Sequence, residues 1–241
     1  MNEFINPEPH RVRWLVIACG ALATLVAATG LIVWVLKPHS GDARTATPGA
    51  LPPTATGSST SVPSGPVQLG AGSQTVQGIA VGYPHSPAGA VAAGTEYLTQ
   101  VLSNLDPARA RTIATVIADP SFADASDYLA EGAANLRRTL GVATIGPVPL
   151  GASLTFGPAA YQLRDATPDA LTVLVLGYLS STAPGRQVTS TVGVYPIRLH
   201  WAATDWKVLP PDPATTTDYT SLAAQPGSVE AAARGWQELT S

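Results

Sequence analysis

The sequence predicts an α+β fold in which helices pack on one concave face of a curved antiparallel sheet, giving a cone-like domain. Three observations predict it. Between Ser86 and Leu140 apolar residues recur every three or four positions in successive segments, each opened by a capping residue and a proline: Ser86-Pro87, Asp106-Pro107 and Asp119-Pro120. After Gly141 the apolar period changes to two, the spacing of half-buried strands. Along Arg186 to Trp201 the apolar phase switches midway, and a bulge that absorbs such a slip bends the sheet. Helices followed by strands is the order of an α+β domain.

Residues 1–13 form a short polar tail. Trp14 to Leu36 then runs 23 residues without a charge, an amide side chain or a proline. As a helix it would be roughly 35 Å long, enough to cross a hydrocarbon core of about 30 Å. Trp14 and Trp34 sit near its ends, where indoles favour the water–hydrocarbon boundary. A cleavable signal would want a shorter apolar region before its small-residue site, and here thirteen more uncharged residues follow Ala23. A lipoprotein box at Val16-Ile17-Ala18-Cys19 has only five apolar residues before its cysteine, so Cys19 reads as an inert thiol within the span. Arg11 and Arg13 before the span balance Lys37 and Arg44 after it. Everything of globular size follows the span, which favours a cytoplasmic amino terminus and an external carboxy-terminal domain.

Residues 37–78 are dominated by Pro, Ser, Thr, Gly and Ala. Such a stretch buries too little apolar surface to offset its chain entropy, and is expected to be a disordered stalk. The domain is expected over residues 79–212. Its first helix carries Val91, Gly94, Leu98, Val101, Leu102 and Leu105 on one face; its second carries Ala110, Ile113, Ala114 and Ile117. The third, opened by Asp119, would turn Phe122, Ala125, Leu129, Ala133, Leu136 and Leu140 inward. Leu150, Ala152, Leu154 and Phe156 alternate as a strand, and Leu171 to Leu179 is apolar on both faces, as a doubly covered central strand would be. In the third strand Val188, Val192 and Val194 are in phase first, then Tyr195, Ile197, Leu199 and Trp201, with Gly193 and Pro196 placed where a bulge belongs. Ala203-Thr204-Asp205 turns the chain into a final strand with Trp206 and Val208. Residues 213–241 read as a loose tail with a short helix starting at Ser228.

GYPHSPAGAVAAGTEYL, the Pro149–Gly151 PLG and LHWAATDWKVLPPD resemble a family of membrane-anchored actinobacterial proteins of unknown function. More distantly they resemble the accessory components of conjugative transfer systems of the VirB8 and TcpC type, which share the nuclear-transport-factor-2-like (NTF2-like) cone. The resemblance spans most of Ile79–Asp212. It implies an NTF2-like fold and a place in a type IV secretion-like apparatus.

Charge and motifs narrow the function. From Ile79 onward nine Lys and Arg stand against thirteen Asp and Glu, a net of −4, which gives no basic stripe for a phosphate backbone. The single cysteine lies in the apolar span, so the domain has neither disulfide nor thiolate chemistry. No nucleophile elbow, phosphate loop or zinc motif occurs, and no catalytic, cofactor-binding or metal-binding residue is assigned. His85 reads as a base or as a residue that fixes its loop; His200 reads as a solvated strand position. Asp119, Asp124 and Asp127 could suggest a metal, but read as a cap and a solvated face. Arg137-Arg138 suits the negative end of a helix, or a partner's carboxylate. Trp201 and Trp206 pack together or line a pocket mouth. A buried His or Asp facing Tyr97, Tyr161 or Tyr178 across a pocket would mark an enzyme. The favoured expectation is a non-catalytic, single-pass membrane scaffold that contacts other envelope or secretion-machine proteins and copies of itself, with no direct nucleic-acid contact and no small-molecule substrate. Envelope sensing, wall binding and a small enzyme are the alternatives.

Overall fold

The computed structural model describes residues 63–212 and 217–240. The apolar run Trp14–Leu36 and most of the expected stalk lie outside the described residues, among which no helix is long and apolar enough to cross a membrane. The described chain runs β1 (Val67–Gln68), β2 (Gln74–Val76), β3 (Ile79–Val81), α1 (Pro87–Leu102), α2 (Pro107–Ile117), α3 (Ala125–Thr139), β4 (Ser153–Arg164), β5 (Ala170–Thr182), β6 (Thr189–Ala202), β7 (Asp205–Val208), a 3-10 turn (Thr220–Leu222), α4 (Val229–Ala233) and β8 (Gln237–Thr240).

The first two helices form for the reasons the sequence gives. Ser86 Oγ accepts from the Gly89 amide at 3.1 Å and Asp106 Oδ1 from the Ala108 amide at 2.9 Å, each ahead of a proline that lacks the orphan N–H. α2 buries Ala110, Ile113, Ala114 and Ile117, the four residues its spacing selects. α1 lies on β5 and β6, and Gly94 lets it approach. A Cβ there would stand 3.1–3.4 Å from the side chains of Ile197, Leu199 and Val173.

The third helix starts later than its cap signal suggests. Asp119 is not a helix cap: its amide donates to the Val208 carbonyl at 2.9 Å, and Ala118 bridges Val208 in parallel. The segment therefore joins the sheet edge, and the helix begins only at Ala125. Phe122, Ala125 and Ala133 are buried as expected, whereas Leu129, Leu136 and Leu140 are half-buried.

The main sheet has the order β1-β8-β4-β5-β6-β7; β1 and β8 are parallel and the other pairs antiparallel. β2 and β3 form a separate hairpin. The register of β5 and β6 runs unbroken from Ala170↔His200 to Ser181↔Thr189, so the bulge expected at Gly193 or Pro196 is not there. The register shift lies instead between Pro158 and Ala160 of β4, where a residue without an N–H interrupts the ladder. The change of phase in β6 has another cause. Tyr195, Ile197 and Leu199 face α1, while Val192 and Val194 face a second cluster on the opposite side of the sheet, made of Ala160, Leu174, Leu176, Ala224, Ala231 and Trp236. Both faces are covered, and β5 is accordingly buried without a break from Leu171 to Gly177.

That second cover corrects the expected boundaries. The carboxy-terminal residues are not a loose tail: α4 does start after Ser228, but it ends at Ala233 and the chain continues as β8 beside β4. At the other end, residues assigned to the stalk are part of the fold. Val67 pairs with Leu239, and the Tyr161 hydroxyl donates to the Gly65 carbonyl at 2.8 Å.

Candidate functional site

Of the residues singled out in the sequence, His85, Tyr97, Trp201 and Trp206 converge at one end of the sheet, where β6 turns into β7 beneath the loop that enters α1. Asp205 and Lys207, which were not singled out as site residues, join them there. The turn is tight enough to hold Ala203 at a φ of 58°. It delivers Asp205 and Trp206 into the interior. Asp205 Oδ1 accepts from its neighbour's amide, Trp206 N, at 2.9 Å and from the Tyr83 amide at 3.2 Å. Its Oδ2 accepts from the Tyr97 hydroxyl at 3.3 Å and lies 3.5 Å from Lys207 Nζ. Tyr97 also reaches the Trp206 carbonyl at 3.1 Å, Trp206 Nε1 donates to the Pro84 carbonyl at 3.0 Å, and Lys207 Nζ donates to the Val116 carbonyl at 2.9 Å. One carboxylate thus ties β7 to the pre-helical loop and to α1, while Lys207 adds α2. Burial first, and then the nearby Asp205 charge, push the Tyr97 phenol far above its ordinary range, so it stays a proton donor.

Outside this clamp His85 stacks on Trp201, with ring centres 4.2 Å apart and planes 9° apart, and meets Trp206 edge-on at 5.8 Å. Trp201 and Trp206 themselves meet edge-on at 5.4 Å, so they pack together. His85 Nε2 lies 2.9 Å from Asp169 Oδ1 and 3.0 Å from the Pro168 carbonyl. Both neighbours accept, which puts the proton on Nε2. The ring fixes the β4–β5 loop against the entrance to α1.

A second histidine–carboxylate pair joins β6 to the segment before α3: His200 Nδ1 is 3.0 Å from Asp119 Oδ2. His200 is therefore more than a solvated strand position, although its side chain is 43% exposed. Asp119 Oδ1 takes the Ser121 hydroxyl at 2.7 Å and amide at 2.9 Å. Burial pushes the Asp119 carboxyl up, but the two Ser121 hydrogen bonds and then His200 outweigh it and hold the group below its ordinary value. A carboxyl lowered in the folded state stabilises above its unfolded pKa of about 3.9, and that contribution is lost as pH falls through the lower folded value. The gap in urea midpoint between the parent protein and Asp119→Asn should therefore close as pH is lowered from about 6 towards 3. A gap that stayed constant over that range would show that Asp119 gains nothing from its charge.

The other candidates do not join this constellation. Asp124 precedes α3 without a side-chain capping bond, and Asp127 is an exposed partner of Arg111 at 3.5 Å. Among the described residues no cluster of His, Cys, Asp or Glu is arranged to hold a metal. Tyr178 bonds to Gln225 and Tyr161 to Gly65, so neither faces a buried acid. Arg137 is the largest departure. It is fully buried rather than offered to solvent, and donates from Nε to the Ala143 carbonyl (2.5 Å), from Nη1 to Gly146 (2.9 Å) and from Nη2 to Pro147 (2.8 Å). It shapes the loop after α3 and, at 0% exposed, is not offered to a partner's carboxylate. Arg138 is exposed and bonds to Asn135.

Residues 35–230 match the profile of a family described as a domain of unknown function, DUF8175. The chain belongs to that family. The DUF8175 match takes in the clamp, the His85–Trp201 stack and the Arg137 loop, and stops within α4, before Trp236 and β8. No curated protein matches the chain, and no solved structure does.

Proposed function

We propose that this DUF8175 chain is a non-catalytic scaffold, anchored by Trp14–Leu36 with its amino terminus cytoplasmic, whose external domain acts through protein contacts in a conjugative, type IV secretion-like apparatus. The observation that carries the reading is where the titratable groups go. Asp205, Lys207, Arg137 and His85 are each bonded to backbone groups of another element or loop, and Asp119 is held by Ser121 in its own segment and by the His200 side chain of β6. They hold the fold together and are already engaged, whereas general acid–base chemistry needs a group within reach of a substrate proton. Asp205 does face Tyr97, as an enzyme would require, but Tyr97 and Trp206 are 0% exposed and the pair is sealed. The three longer helices followed by a curled, mostly antiparallel sheet support the NTF2-like reading, and the apolar span with its stalk supports the envelope location.

The test is genetic. A chain truncated after the stalk, lacking residues 79–241, should abolish transfer of the plasmid or element from the donor while leaving donor growth unchanged. His85→Ala should leave transfer nearly intact, because its ring positions a loop and moves no proton. If the truncated chain still supports transfer, the assignment to conjugation is wrong. If His85→Ala abolishes transfer in a folded domain, catalysis replaces the scaffold.

A further inference from the structure

At the end of the sheet opposite the clamp, two loops carry apolar side chains out into solvent. Ile145 and Leu150, in the α3–β4 loop, are 88% and 96% exposed; Val188, in the β5–β6 loop, is 66% exposed. The loops are neighbours, since Ser153, where β4 begins, pairs with Thr182, where β5 ends. The first is held rigidly: the buried Arg137 occupies the carbonyls of Ala143, Gly146 and Pro147, and the Ala152 amide closes a turn onto Pro149. A buried guanidinium with no carboxylate is costly. Here its three bonds satisfy backbone acceptors that an apolar medium would otherwise leave unpaired. The cations nearest in sequence are the exposed Arg138, at the root of the first loop, and Arg186, in the second, and neither loop contains an acidic residue. This contrasts with a domain whose overall balance is acidic.

We propose that this tip, formed by Ile145, Leu150 and Val188 with Arg138 and Arg186, docks onto an anionic lipid surface. Three aliphatic side chains on two protruding loops offer on the order of a few hundred Å², well short of the roughly 800 Å² per partner of a stable protein interface. They suit a soft medium that admits protrusions, with arginines at its charged boundary. The inference deepens the scaffold reading and rests on its membrane anchor, which supplies the effective concentration that a small contact needs. Residues 37–62 span at most about 90 Å when fully extended, against roughly 43 Å for the 13 residues of β5, so the tether permits the contact.

The test uses the full chain with its one cysteine removed (Cys19→Ala), carrying Leu150→Cys labelled with a polarity-sensitive bimane, in phosphatidylcholine vesicles with and without phosphatidylglycerol. A second chain carries the label at the exposed Thr75→Cys on β2. The label at position 150 should shift to the blue and be quenched by doxyl lipids when phosphatidylglycerol is present, while the label at 75 stays as in water. Arg138→Glu with Arg186→Glu should weaken that contact by about fivefold or more per arginine. A label at 150 that stays as wet as that at 75 overturns the proposal. A blue shift that follows protein density and ignores phosphatidylglycerol also overturns it, in favour of contact between copies. Alkaline carbonate washing reads the anchor separately: a chain that washes off refutes the anchor whatever the tip does, and a retained chain with a wet tip refutes the tip alone.

Discussion

Asp205→Ala should destabilise the domain by about 3–5 kcal/mol, measured by urea unfolding at neutral pH. Its side chain is 9% exposed and serves two backbone amides, a buried phenol and an ammonium. Truncation leaves the Tyr83 and Trp206 amides without their acceptor in a place water reaches poorly. Tyr97 and Lys207 lose less, because each keeps a carbonyl, on Trp206 and Val116. Each orphaned buried donor costs about 1–3 kcal/mol, and the ammonium adds the loss of a partly buried partner. Asp205→Asn separates the contributions. Its remaining carbonyl oxygen serves both amides, and the Tyr97 hydroxyl, donating to the Trp206 carbonyl, can accept from its NH2. That NH2 still meets the Lys207 ammonium as donor against donor, so a cost of about 1–2 kcal/mol is expected. A domain of this size has roughly 5–15 kcal/mol to lose. If Asp205→Ala cost less than about 1 kcal/mol, the clamp would not be what holds β7 to α1.

What the sequence shows and what it hides divide along a physical line. Ser86 and Asp106 are legible as caps because their partners, the Gly89 and Ala108 amides, are two or three residues away. Asp119-Pro120 carries the same signal and misleads, because the Asp119 amide has a better acceptor in Val208, 89 positions on by numbering. No local pattern distinguishes the two cases. The phase change in β6 looks like a slipped register only if one face of the strand is assumed to be wet. Val192 and Val194 are apolar because a carboxy-terminal segment covers their face, and that segment is proline-rich and irregular where periodicity would have to reveal it. Arg137 is hidden for a third reason. A charged residue in the last turn of a helix reads as solvated, and the carbonyls that bury it sit in a loop with no periodic pattern. At the candidate site, the packing of Trp201 on Trp206 was legible from the tight turn between them. The stacking of His85 on Trp201 was not, since the two lie on elements far apart in the chain.

Trp236→Ala should cost about 3–5 kcal/mol and should uncouple one edge of the sheet before the rest unfolds. The indole is 5% exposed and packs with Leu174 and Leu176 of β5, Ala160 of β4 and Ala231 of α4. Its Nε1 donates to the Leu222 carbonyl at 2.9 Å, which fastens the 3-10 turn to the same cluster. Removing it leaves a cavity on the face of the sheet opposite α1 and one unpaired carbonyl. The consequence travels along the chain. β8 begins one residue later and joins the sheet through only two register pairs, Tyr161↔Gln237 and Ala160↔Glu238; β1 in turn is held in the sheet by β8. Amide exchange should therefore accelerate at Leu69, whose N–H donates to the Thr240 carbonyl, and along β8, while β5 and β6 amides stay protected. Trp236→Phe keeps most of the buried area and loses the hydrogen bond, so a cost of about 1–2 kcal/mol is expected. If Trp236→Ala left both urea midpoint and exchange at Leu69 unchanged, the carboxy-terminal segment would be an ornament on the fold. β5 would then have to owe its unbroken apolar run to some other cover.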